Sequence, residues 1–141
     1  MKRTTQISAL SVFLLFTLLF ACKKEEHEQM IDVLTSKTWK FGMKDLNAST
    51  NPSGTNFYFA VPECEQDDTF LFKADGTMIR NYGLKKCDGE TTANKTVPFS
   101  FNKQTKELII DGVKYKVVEE NKTQFKYVLV TITGTAIYLL Q

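Results

Sequence analysis

Few residues in this chain are of a type that does chemistry on its own: three cysteines (Cys22, Cys64, Cys87), one histidine (His27) and the carboxylates Glu63, Glu65, Asp67 and Asp68. Thiols and an imidazole can hold a metal or run redox exchange. Here no C-x-x-C occurs, and His27 sits in a charged stretch remote from Cys64 and Cys87. Paired acids can hydrolyse glycosides and oxygen-rich loops can take calcium, but the spacing of these four matches no ligand loop. Acids beside a cysteine at the start of a strand read instead as a solvated face. Between Leu34 and Gln141 there is no histidine to act as a base and no phosphate loop. The sequence therefore predicts a protein that is not an enzyme and that takes no cofactor and no metal.

Cys22 stands at a boundary. Met1-Lys2-Arg3 is positive, residues 9–21 are almost wholly apolar apart from Ser11 and Thr17, and the small Ala21 immediately precedes the cysteine. That is the layout of a secretory signal peptide over 1–21. A helix crossing a bilayer needs about 20 apolar residues, and this run is shorter and stops at Lys23, Lys24, Glu25 and Glu26. Leu19-Phe20-Ala21-Cys22 resembles the lipobox of bacterial lipoproteins, in which the cysteine is acylated and becomes the first residue of the mature chain. The resemblance implies a lipid bilayer as partner, held through acylated Cys22. Each acyl chain, such as palmitate, contributes about 0.8 kcal/mol per buried methylene, and more than one anchors stably. The alternative is an ordinary signal peptide with an incidental cysteine. Acids soon after the cysteine also resemble the surface-export signals of Bacteroidetes lipoproteins, so the expected address is the outer membrane, at its cell-surface or periplasmic face.

Charge and cysteine pairing follow from that division. Lys2 and Arg3 belong to the leader, so the other 16 basic residues balance the 16 acidic ones. No basic footprint for nucleic acid is left. Residues 22–29 form a charged tether without apolar periodicity. Residues 30–141 have the length of one domain. In an exported domain of this size, Cys64 and Cys87 are most simply read as one disulfide.

Positioning falls to strands. A short N-terminal helix is expected where Met30, Ile31 and Leu34 share a face, ending at Thr35-Ser36. Beyond it apolar residues recur in twos, with turn signals every eight to twelve positions. Trp39, Phe41 and Met43 share one face of a strand over 38–44, and 57–61 forms a second strand. Asp75-Gly76 predicts a hairpin that sets Phe70 and Phe72 against Met78, with Arg80 and Tyr82 nearer the rim. Val97, Phe99 and Phe101 alternate, Leu108 and Ile110 follow, and Asp111-Gly112 turns into Val113, Tyr115 and Val117. Phe125, Tyr127 and Leu129 lie on one face, before a turn at Thr133-Gly134 and a last strand with Ile137 and Leu139. The expected fold is all-β: about eight antiparallel strands closed into a small up-and-down barrel, which hides the apolar faces and removes exposed edges. A β-sandwich is the alternative.

The run LTSKTWKF at 34–41, CEQDDTFLFKADGT at 64–77 and a cysteine at 87 resemble the lipocalin-like domains of secreted Bacteroidetes lipoproteins. The resemblance covers most of 34–141 and implies that Trp39 closes one barrel end. An eight-stranded barrel is either filled by side chains or holds one small ligand. Two readings follow. In one, a small apolar ligand contacts Trp39, Phe70, Phe72, Arg80, Phe99, Tyr115 and Tyr127, with Arg80 and the tyrosines as polar handles at the mouth. In the other, the same rings form a solid core, and the domain is a non-catalytic display or interaction module. Alternation is silent on oligomeric state.

Overall fold

A computed structural model of the chain describes residues 32–141. The signal peptide at 1–21, the lipidation of Cys22, the tether at 22–29, and Met30 and Ile31 of the expected helix lie outside the described residues. What remains of that helix is a single turn, α1 (Asp32–Thr35), closed by the Ser36 amide and hydroxyl, which both donate to the Val33 carbonyl. Leu34 is buried under it, and the Leu34 carbonyl accepts a 2.8 Å hydrogen bond from Trp39 Nε1.

Everything larger is sheet. The strands are β1 (Trp39–Lys40), β2 (Asn56–Tyr58), β3 (Thr69–Phe72), β4 (Thr77–Asn81), β5 (Asn94–Asn102), β6 (Glu107–Ile110), β7 (Val113–Glu120), β8 (Phe125–Thr131) and β9 (Gly134–Leu140). They form one nine-stranded sheet in the order β1-β3-β4-β5-β6-β7-β8-β9-β2, curled into a half-barrel. One continuous sheet excludes the sandwich alternative. It also corrects the up-and-down, all-antiparallel expectation: there are nine strands, and β2 pairs parallel to β9, with Asn56 opposite Thr135 and Tyr58 opposite Ile137. β2 reaches β9 by a long connection and not by a hairpin, so alternation could not order it. The two sides of the curl meet over a short stretch, where Lys40 and Gln141 exchange backbone hydrogen bonds and Gly42 N donates to Leu139 O at 2.9 Å.

The hairpins behave as their turn residues require. Asp111 (φ 50°) and Gly112 (φ 79°) are both left-handed, the requirement of the tightest two-residue turn, and leave Ile110 opposite Val113. Gly76 (φ 84°) turns β3 into β4 so that Phe72 faces Met78 and Phe70 faces Arg80. β5 alternates as expected, with Val97, Phe99 and Phe101 buried. With Leu34, Trp39, Leu108, Val117, Phe125 and others, these residues form one core on the concave face.

One inward assignment fails, and two other apolar strand residues are less covered than alternation suggests. Met43 is 64% exposed because β1 ends at Lys40 and the chain leaves the sheet after Gly42. Phe57 is 44% exposed because β2 is an edge strand with a neighbour on one side only. Leu129 is half-buried, near the exposed tip of the β8–β9 hairpin. By contrast β8 and β9 are covered on both faces. Val128, Ile137 and Leu139 form a second apolar cluster on the outer side, where Lys126 is also buried.

Candidate functional site

The concave face carries a cleft of about 350 Å³. Adjacent strands supply its walls: Phe70 and Phe72 from β3, Arg80 from β4, Tyr115 from β7 and Tyr127 from β8. The structure thus brings together five of the seven residues expected at a ligand. The other two, Trp39 and Phe99, are not among the lining residues. Trp39 is fully buried beneath α1, edge-on to Phe125 at 6.3 Å, which seals that end. Phe99 packs edge-on against Phe72 at 4.9 Å in the solid part of the core, where Phe101 meets Phe125 in the same way.

Tyr138 was missed by sequence reasoning. Alternation in β9 offers two sets, Ile137 with Leu139, and Ala136 with Tyr138 and Leu140. Both are largely covered, so the period alone does not say which faces the cleft. Tyr138 lies directly across from Tyr127, its ring stacked at 5.2 Å and 7°. Phe59 stacks on Tyr138 at 4.8 Å, and Tyr115 stands edge-on to Tyr127 at 5.1 Å and to Tyr138 at 5.6 Å. None of the three tyrosine hydroxyls has a hydrogen-bond partner among the described residues. Burial pushes the Tyr127 hydroxyl well above the usual tyrosine range, with the neighbouring Tyr115 adding to the effect. Burial, then Tyr138, raises Tyr115 as well.

Arg80 is fixed before any ligand arrives. Its Nε and Nη2 each lie 2.6 Å from Asp68 Oδ2, and Nη2 lies 3.2 Å from Glu65 Oε1. The guanidinium also lies over the Phe70 ring at 5.9 Å and the Tyr82 ring at 5.2 Å. Burial works against the charge on Arg80, but hydrogen bonds to Asp68 and Glu65 outweigh it and raise the pKa.

The acidic run is only in part the solvated face expected of it: Glu63 is exposed, but Glu65 and Asp67 are half-buried and Asp68 is not solvated at all. Asp68 is completely buried, its Oδ1 accepting from Gly83 N at 2.9 Å, and Asp67 accepts from the amides of Leu84 and Lys85. Glu63 pairs with Lys85 at 2.5 Å, and the Cys64–Cys87 disulfide closes the same junction with its Cα atoms 5.1 Å apart. Carboxylates and disulfide together clamp the connection between β4 and β5 onto the turn before β3. Among the described residues, no three His, Cys, Asp or Glu side chains gather as a metal would need.

A second polar centre lies on the outer face. Lys126 is fully buried, and its Nζ donates to Asp45 Oδ2 (2.8 Å), Asn47 O (2.6 Å), Thr50 Oγ1 (2.8 Å) and Asn51 Oδ1 (2.9 Å). Gln124, also fully buried, donates to Asp45 and Glu119 and accepts from Leu46 N and from the Gln141 side chain. Burial alone would raise the Asp45 pKa. Hydrogen bonds from Lys126, the Asn47 amide, Tyr58 and Gln124 overturn that and lower it to about 2. Beside this network a second cleft, of about 500 Å³, separates Met43 and Ala48 from Tyr58 and Leu139.

No protein-family model matches the chain, and no curated protein and no solved structure matches it.

Proposed function

We propose that the protein is a lipocalin-like, membrane-anchored lipoprotein that holds a small apolar molecule in the concave cleft without acting on it chemically. The observation that carries the ligand reading is the cleft itself, about 350 Å³ with an aromatic lining and a few convergent polar groups, which is the usual form of a small-molecule site. Support for the anchor is the run Leu19-Phe20-Ala21-Cys22, with residues 22–29 as tether between an acylated Cys22 and the domain. On that reading the domain rides on the outer membrane, at the cell-surface or periplasmic face.

A second reading has an observation of its own. The rings of Trp39, Phe72, Phe99, Phe101 and Phe125 interlock at one end of the barrel, as a solid display or interaction module would have them. Purifying the full chain from its native membranes and recording native mass spectra separates the two. A carrier shows a reproducible small-molecule adduct, and Ile110→Trp, which fills the cleft from its wall, abolishes it. Repeated recovery of the bare acylated chain refutes the carrier reading and favours the solid module.

A further inference from the structure

We propose that the molecule held in the concave cleft is uncharged and presents an acceptor oxygen, a carbonyl or an ether, to the hydroxyl of Tyr127. This rests on the cleft being a ligand site.

Tyr127 is only 7% exposed, lines the cleft, and has no hydrogen-bond partner for its hydroxyl among the described residues. Its ring stands edge-on to Tyr115 at 5.1 Å and stacks on Tyr138 at 5.2 Å, and all three line the cleft together with Arg80. Although the residue is largely covered, its hydroxyl is not among the buried polar atoms sealed off without a partner, so it opens to the cleft and its hydrogen bond is free to go to a ligand. Because burial favours the neutral phenols of Tyr115 and Tyr127, each keeps a proton to donate. What the site lacks is an acceptor.

Charge narrows the class. The cations beside the cleft, Arg80 and Lys95, are each already paired, Arg80 with Asp68 at 2.6 Å and Lys95 with Asp111 at 3.0 Å. With Glu65 added, carboxylates outnumber cations there, so a carboxylate ligand meets net repulsion. A cation would need ring faces turned toward it, as in an aromatic cage. Here the faces are turned on each other, Phe59 on Tyr138 and Tyr138 on Tyr127. Ring edges and hydroxyls are what the cleft offers, and they suit an apolar body with an uncharged acceptor.

Four probes sharing one ring system test this: 2-acetylnaphthalene, 2-ethylnaphthalene, 2-naphthoate and (2-naphthylmethyl)trimethylammonium. Each is titrated calorimetrically into the full chain in lipid nanodiscs, with empty nanodiscs subtracted. The expected result is that the ketone binds about tenfold more tightly than the ethyl compound, the margin of one hydrogen bond. Tyr127→Phe should erase that margin while leaving 2-ethylnaphthalene binding and the unfolding midpoint unchanged, because the hydroxyl supports no protein contact. Equal binding of ketone and ethyl compound overturns the inference and leaves the carrier reading standing. So does tightest binding of the carboxylate or the ammonium probe. Binding of none overturns the inference, while the native-membrane adduct still decides the carrier reading separately.

Discussion

Replacing Lys126 by methionine should destabilise the domain more than almost any other single change on its outer face. The ammonium is fully buried with its three donors shared among four oxygens, while the carboxylates of Asp45 and Glu119 beside it are 6% and 9% exposed. Methionine fills the space but leaves those carboxylates buried without their cation. Breaking a buried pair on one side costs about 3 to 5 kcal/mol, against a typical domain stability of about 5 to 15 kcal/mol. Urea unfolding followed by the fluorescence of Trp39, the single tryptophan and a fully buried one, measures this directly.

The same network predicts the acid limb of stability. Asp45 has its folded pKa lowered from 3.8 to about 2. A depressed carboxylate contributes stability that is complete above its unfolded pKa and is lost as pH falls through the folded one. At about 1.4 kcal/mol per pKa unit, roughly 2 kcal/mol should disappear between about pH 4 and pH 2. Asp45→Asn should remove that part of the slope. The comparison must be with the variant, because the carboxylates of Glu63, Asp67 and Asp75 are depressed too and bend the same curve. Loss of less than about 1 kcal/mol in Lys126→Met, or parallel acid limbs for the wild type and Asp45→Asn, would refute the account of this network.

Other outcomes follow from single contacts. Reducing the Cys64–Cys87 disulfide, which closes a separation of 23 residues, should cost about 3 kcal/mol in unfolding free energy, read as a lower urea midpoint with dithiothreitol. Gly83→Ala would set a Cβ 2.1 Å from Asp67 Cγ and should cost about 1 to 3 kcal/mol, seen as a fall in thermal midpoint. Trp39→Phe removes the hydrogen bond to the Leu34 carbonyl and should release α1, with faster amide exchange at Ser36 and a loss of about 1 to 3 kcal/mol.

What was legible in the sequence was local. Asp75-Gly76 and Asp111-Gly112 impose positive φ and so fix two hairpins and the facing of Phe72 with Met78. Strict alternation over Val97, Phe99 and Phe101 could only be a half-buried strand. The exported context made Cys64 and Cys87 partners, and five of the cleft residues followed from counting inward positions. What was hidden is what depends on distant chain. Nothing near Phe57 reveals that its strand joins β9 in parallel at the sheet edge. Nothing near Met43 shows that Asp45, two residues on, is drawn to a lysine 81 positions later. Lys126 itself, set between Phe125 and Tyr127, reads as the exposed partner of an alternating strand. Only the loop that folds over the outer face turns it into a buried group. Asp68 failed for the same reason: its partners, Arg80 and Gly83, come together through the hairpin and the loop after it.

These two buried charges play equivalent parts in the architecture. Among the described residues the two longest connections run from Lys40 to Asn56 and from Asn81 to Asn94, and neither contains a strand. Among the contacts that attach each to the sheet is a fully buried charged side chain that takes a counter-ion and also fixes the loop. Lys126 takes Asp45 and the Asn47 carbonyl, while Asp68 takes Arg80 and the Gly83 amide. An apolar contact would bury area without choosing a register, whereas these pairs specify both distance and direction. Asp68 holds Arg80 against Phe70 at the wall of the cleft, so the attachment of the second loop also sets the shape of the site. Arg80 is then part of the scaffold and only secondarily a handle for a ligand. On the carrier reading, recognition is left to the three tyrosine hydroxyls, which have no hydrogen-bond partner among the described residues.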